Sequence, residues 1–180
     1  MLFSIIISFS FLMQNPEKIL LTDFEEEDLK NWIIVNDGVM GGLSTSQIQY
    51  LPESRAIYSG TVSLENNGGF ASSRMKIEPN RMGGSSSILL RVKGDGKKYK
   101  FRIRTDDQMD GITYSADFRT KKNEWMEIEL PFNLFKPTYR GRILDHIGPI
   151  KAEDIRQVGI LISDKQSGPF SITLDWIKCS

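Results

Sequence analysis

Apolar and polar residues alternate along most of this chain, the period-two mark of strands with one buried face. Ile88, Leu90 and Val92 share one parity, as do Tyr99, Phe101 and Ile103. The pattern recurs at Ile112, Tyr114, Ala116 and Phe118, at Met126, Ile128 and Leu130, and at Phe170, Ile172, Leu174 and Trp176. Turn formers separate these runs: Gly83-Gly84-Ser85, Gly94-Asp95-Gly96, Asp110-Gly111, Lys122-Asn123 and Ser167-Gly168-Pro169. Strands at this spacing predict an all-β, antiparallel β-sandwich or jelly roll. Residues 158–162 are apolar at nearly every position, which predicts a central strand covered on both faces. Parity puts Trp176 in the core and Trp125 on a polar face with Glu127 and Glu129. Helical signal is confined to residues 25–31, with Asp23 as a candidate cap, and residues 152–157.

Composition agrees. Ala56, Ala71, Ala116 and Ala152 are the only alanines, so good helix formers are scarce. The 180 residues carry 23 Lys+Arg and 23 Asp+Glu. That neutrality argues against binding nucleic acid by bulk charge. Hydrophobic residues at 39% exclude a disordered chain. One cysteine, Cys179, cannot close an intrachain bridge. A single domain over residues 18–180 is expected, preceded by an apolar segment, residues 1–17. The apolar run there is well short of the ~20 residues of a membrane-spanning helix, so the chain is not expected to be transmembrane. Its length suits a signal peptide, although no Lys or Arg precedes Lys18 and no small-residue cleavage site follows; an extra apolar strand is the alternative. The first arginine is Arg55, which speaks against a mitochondrial presequence.

The densest unusual stretch is Trp32-Ile33-Ile34-Val35-Asn36-Asp37-Gly38-Val39-Met40-Gly41-Gly42-Leu43-Ser44. A strand enters Asn-Asp-Gly, whose residues tolerate positive φ, and two more glycines precede a second strand. Such a loop is either a structural corner or a recognition loop with exposed amides. Its candidate binding residues are Asn36, Asp37, Gly38, Met40, Gly41, Gly42 and Ser44. Tyr139, Arg140 and Arg142 are the other candidates, since paired arginines can grip a carboxylate or phosphate; equally, an arginine beside an acid such as Asp175 pins a loop. Lys98, Lys100, Arg102 and Arg104 project from one strand face, either toward an acidic partner or anionic lipid or toward cross-strand acids such as Glu127 and Glu129. Residues 106–111 have the look of a calcium loop, but strand-like flanks favour a hairpin connection. His146 has no metal-ligating company, and neither a metal nor a cofactor is expected. No nucleophile elbow occurs and Glu127 and Glu129 share a face, so no catalytic residue is assigned and no enzyme is expected.

Residues 32–44 resemble the hallmark of the complex I intermediate-associated protein 30 family, a Trp followed by Val-Asn-Asp-Gly-Val-Met-Gly-Gly-x-Ser. Leu130-Pro131-Phe132-Asn133-Leu134-Phe135-Lys136-Pro137 with Tyr139-Arg140-Gly141-Arg142 is similar to a second family block, and Leu174-Asp175-Trp176-Ile177 to its closing strand. The resemblance implies a galactose-binding-like β-sandwich and a non-catalytic, chaperone-like assembly factor that holds intermediates of respiratory complex I. Its partners would be protein clients, membrane-complex subunits among them. The alternative is a carbohydrate-binding module of the same fold, taking a glycan on an aromatic platform, for which Trp125 is the candidate and Trp32 a further aromatic. Without an arginine-rich leader the sequence looks like a bacterial relative, exported if residues 1–17 are a signal peptide and cytoplasmic otherwise.

Overall fold

The computed structural model describes residues 18–180; the expectations for residues 1–17 lie outside the described residues. Strands follow one another as β1 (Ile19–Thr22), β2 (Trp32–Asn36), β3 (Thr45–Leu51), β4 (Arg55–Val62), β5 (Ala71–Lys76), β6 (Ser87–Lys93), β7 (Lys98–Arg104), β8 (Thr113–Arg119), β9 (Trp125–Pro131), β10 (Lys136–Tyr139), β11 (Arg142–Ile143), β12 (Gln157–Ile162) and β13 (Gly168–Cys179). Two antiparallel sheets result. One has the order β3-β4-β13-β6-β9 with β1 added along β13, and the other has the order β11-β10-β8-β7-β12-β5-β2. Helical structure among the described residues is limited to short 3-10 turns, including Asp28–Asn31 and Ala152–Asp154 within the two stretches expected to be helical. Asp23 caps neither: Thr22 holds the first turn instead, its hydroxyl donating to Asp28 at 2.8 Å.

The alternating residues fill the space between the sheets. Tyr58, Ile88, Leu90, Phe170, Ile172 and Leu174 from the first sheet and Tyr99, Phe101, Ile103, Ile160 and Ile162 from the second are all buried. Phe170 meets Tyr58 and Tyr99 edge-on at ring centroid distances of 5.2 and 6.5 Å, an arrangement that the ring quadrupoles favour. As expected, β12 is central, lying between β7 and β5. Position 159 requires glycine, because a Cβ there would come within 2.4 Å of the Ser73 carbonyl oxygen of the neighbouring β5.

Trp176 departs from the parity expectation. The register of β13 against β6 shifts between Leu174 and Trp176, the mark of a β-bulge, and a bulge re-aims every following side chain. Ile177 and Cys179 therefore enter the core, while Trp176 lies half-buried on the outer face beneath the Lys178 ammonium, 4.4 Å from its ring.

The chain crosses between sheets at both edges of the sandwich. Residues 37–44 carry it from β2 to β3, and residues 132–135 from β9 to β10. Apolar side chains plug the second crossing, where Phe135 is buried edge-on against Phe101 and Phe132. A buried carboxylate holds the first.

Candidate functional site

Asp37 begins the crossing from β2, immediately after the strand ends at Asn36, and its side chain is fully buried. Its carboxylate accepts the backbone N–H of Ser44 at 2.9 Å and the Ser44 hydroxyl at 2.5 Å. From the loop after β4 it accepts the N–H of Gly69 at 2.7 Å and of Phe70 at 3.2 Å. Ser44 in turn accepts the N–H of Ser63 at 3.0 Å. Ser44 at the end of the crossing and Gly69-Phe70 in the loop after β4 thus converge on one carboxylate. Burial alone would raise the Asp37 pKa; the Ser44 hydroxyl and the Gly69, Ser44 and Phe70 amides outweigh it and hold the group below the usual carboxylate range. Asn36 is committed too, accepting the Ser46 hydroxyl at 2.7 Å, and Trp32 is buried, stacked on Phe24 at 5.5 Å.

Asp37 and Ser44, expected among the contact residues, therefore face inward with their polar atoms already paired. What the loop offers to solvent is Gly38, Val39, Met40, Gly41 and Leu43. Relative exposures of 73% for Val39, 64% for Met40 and 53% for Leu43 make this an apolar tip on a rigid base. Gly41 adopts φ +89°, the left-handed conformation that ends the short 3-10 turn. Sequence reasoning passed over Val39 and Leu43; the available signal was that they are apolar residues among glycines with no strand parity to bury them.

The second candidate set forms a tight hairpin between β10 and β11, where Tyr139 pairs with Arg142. Arg140 at φ 48° and Gly141 at φ 79° supply the two positive angles of a type I′ turn. Arg140 donates to Asp110 at 2.6 Å and lies 5.3 Å over the Tyr139 ring, whereas Arg142 is exposed. The Asp175 partners differ from those expected: Arg55 reaches it at 3.3 Å and Arg91 closes on its other oxygen.

The two sets are not brought together. Four strands separate β2 from β10, five inter-strand steps or about 24 Å. They also lie at opposite ends of the strands. Asn36 aligns through Ala71 with Ile162, beside the row that joins Leu161, Lys100 and Asp117. Thr138 aligns with Thr113, next to Tyr114, the partner of Ile103. Loop and hairpin occupy diagonal corners of the sheet.

Trp125 does lie on an outer face, but cations cover it. Arg91, Arg55 and Lys93 stand 4.9, 5.2 and 5.3 Å from its ring centroid, where a sugar would stack.

The cationic stripe divides. Lys98 and Lys100 pair with Asp117 at 3.1 and 2.9 Å and with Asp164 at 2.6 and 3.0 Å. Glu127 and Glu129, the expected partners, belong to β9 in the other sheet and cannot reach. Partial burial would raise the Asp164 pKa; hydrogen bonds from Lys98 and Lys100 outweigh it and bring it down to about 2. Asp117 is lowered in the same way, against its own burial. A carboxyl with a depressed folded pKa stabilises the protein above its unfolded pKa of about 4 and loses that contribution as pH falls through the folded value. The melting temperature is therefore expected to fall steeply between about pH 4 and pH 2. Replacing Lys98 and Lys100 together by methionine is expected to flatten that slope; an unchanged slope in thermal melts would assign it to other groups.

The loop at residues 105–112 connects β7 to β8 as a hairpin connection. No helix among the described residues is long and apolar enough to cross a membrane.

Together the fold and the crossing at residues 37–44 define a galactose-binding-like β-sandwich with a carboxylate-locked corner and an apolar tip. Residues 22–174 match the family described as Complex I intermediate-associated protein 30 (CIA30), and the chain belongs to that family. The mouse "Complex I intermediate-associated protein 30, mitochondrial" is 30% identical over 173 residues, 85% of this chain and 53% of that protein. A probable complex I intermediate-associated protein 30 of Caenorhabditis elegans, also named as mitochondrial, is 28% identical over 189 residues, 93% of this chain and 55% of that protein. The chain spans about half the length of these curated relatives. Neither name assigns a reaction.

Among solved structures, the family 11 carbohydrate-binding module from Clostridium thermocellum, in complex with a β-1,3-1,4-mixed-linked tetrasaccharide, superposes with a TM-score of 0.67. It is 19% identical and the match covers 90% of this chain and 94% of that one, a likeness of fold. The relatives correct the expectation of a bacterial protein, exported or cytoplasmic: those named come from animals and are named as mitochondrial. That expectation rested on the absence of arginine before Arg55, which bears on a leader peptide alone and not on the folded residues that match.

Proposed function

We propose that this chain is a non-catalytic, chaperone-like protein-binding module that acts in mitochondria on assembly intermediates of respiratory complex I, and that it contacts its client with the apolar tip of residues 38–43. The observation that carries this reading is the pairing of exposed Val39, Met40 and Leu43 with the buried Asp37 and Ser44 beneath them. Apolar side chains held on a rigid base bind with little loss of conformational entropy. Family membership supports a client among complex I intermediates. The glycan alternative gains nothing from Trp125, whose ring is already occupied by cations.

Val39→Asp with Met40→Asp tests the reading, because both side chains are exposed and their replacement is expected to shift stability by no more than about 0.5 kcal/mol each. Wild-type protein expressed in mitochondria is expected to comigrate with partly assembled complex I on native gels, and the double variant to lose most of that association while melting at the wild-type temperature. Equal comigration of the two would remove the tip from the interface.

A further inference from the structure

The other half of the cationic stripe has no acidic counterpart. Arg102 projects from the outer face of the seven-stranded sheet in a register row that reads Ile33, Arg74, Gly159, Arg102, Ser115 and Lys136 across β2, β5, β12, β7, β8 and β10. Arg104 follows one step along the same face. Gly159 stands between Arg74 and Arg102 in this row, so no side chain is interposed between the two arginines.

Their hydrogen bonding is incomplete. Arg102 donates to the Thr113 hydroxyl at 3.0 Å, and Arg74 to the carbonyl and the thioether sulfur of Met109, a weak acceptor. Arg104 is buried at 8% exposure, and its Nη1 has no partner. No carboxylate among the described residues comes within 4 Å of any of the three guanidinium groups, in contrast to Lys98 and Lys100. Asp106 and Asp110, in the loop over this end of the sheet, act on Arg104, and Asp106 also on Arg74, only at longer range, and Asp110 is already engaged by Arg140.

We propose that Arg74, Arg102 and Arg104 form a binding site for a phosphate group, free or as a phosphate monoester, over Gly159 on the outer face of the seven-stranded sheet. Burial and then the neighbouring charges of Arg104 and Arg74 bring the Arg102 guanidinium down to about 10, the sign of a cation whose compensating anion is not supplied by the fold. Three guanidinium groups on two strands, β5 and β7, each bring a planar fork of donors to this end of the sheet. A tetrahedral dianion with oxygens on every side satisfies that arrangement better than a flat monoanionic carboxylate does. The site is independent of the apolar tip and stands whether or not that reading holds.

The test is thermal melting of the full chain in inorganic phosphate against chloride of equal ionic strength, repeated with glycerol 3-phosphate and with vesicle sedimentation on phosphatidylcholine containing phosphatidic acid. Phosphate at about a hundredfold excess over Kd is expected to raise the wild-type melting temperature by about 5–10 °C. Arg102→Met is expected to abolish that rise. Without phosphate this variant should melt at or above the wild-type temperature, because an uncompensated buried charge has been removed. Arg74→Gln, at a less buried position, should weaken phosphate binding at least tenfold and serves if Arg102→Met does not fold. Sedimentation with the phosphatidic acid vesicles, competed by free phosphate and lost in the variants, would place the phosphate on a lipid; a response to the soluble compounds alone would place it on a small molecule. A wild-type melting temperature indifferent to phosphate, without vesicle binding, would overturn the proposal, as would responses that survive in both variants.

Discussion

Replacing Asp37 by alanine is expected to destabilise the protein by about 3–5 kcal/mol, since four donors in two segments lose one buried acceptor and are left unsatisfied. For a domain of this size that corresponds to a melting temperature lower by roughly 10 °C or more. Asparagine is expected to do nearly as much damage despite its equal size. It keeps one acceptor oxygen, but its NH2 group would face N–H donors where the carboxylate presents a second oxygen. Urea denaturation of the two variants against wild type checks this. An Asp37→Asn variant within about 1 kcal/mol of wild type would show that shape rather than charge holds the corner.

Alanine at Gly42 is the second large effect. An added Cβ would stand 2.4 Å from Asp37 Cγ and 2.5 Å from its Oδ1, and the carboxylate cannot retreat without releasing the amides it holds. A cost of about 2–4 kcal/mol follows from the overlap and the strained hydrogen bonds. Gly38, four residues earlier in the same motif, is expected to behave oppositely. Nothing lies within 4 Å of its Cβ direction and its φ is not positive, so Gly38→Ala should change stability by less than about 0.5 kcal/mol, if anything upward through the lower entropy of the unfolded chain. The same denaturation experiment reads both. Equal sensitivity at the two glycines would contradict the packing around Asp37.

The contrast between these glycines marks the limit of what was legible beforehand. Strands with one wet face announced themselves: β6, β7, β8 and β9 all fall on alternating runs, because each buries one parity and solvates the other. β5 did not, since Ser72 and Ser73 are buried on a strand whose residue types read as a loop. Nor could parity reveal the irregularity in β13, because a bulge inserts a residue without any change of residue type, and Trp176 was assigned to the wrong face for that reason.

For the site, the motif at residues 32–44 was visible as unusual, but its inside and outside were not. Asp37 reads as a polar loop residue until the donors from Gly69 and Phe70, more than thirty residues away, are seen to surround it. The pairing of Lys98 and Lys100 was anticipated in kind but not in partner, for cross-strand neighbours depend on strand order, and strand order is not written in any one strand. Arg74 escaped notice because it is the one arginine of its strand and joins Arg102 only across β12.

The position of β13 has a consequence for how the molecule comes into being. It lies between β4 and β6 and also carries β1, so strands drawn from early and middle parts of the sequence meet only on residues 168–179. During synthesis β4 and β6 leave the ribosome long before the strand they both require. Until Gly168–Cys179 has emerged, each offers an open hydrogen-bonding edge with a row of apolar side chains, the configuration most prone to pair with a stranger. Folding of this sheet is therefore dominated by distant pairings, which makes it slow. This chain would thus pass through a stage in which its own unpaired edges need guarding.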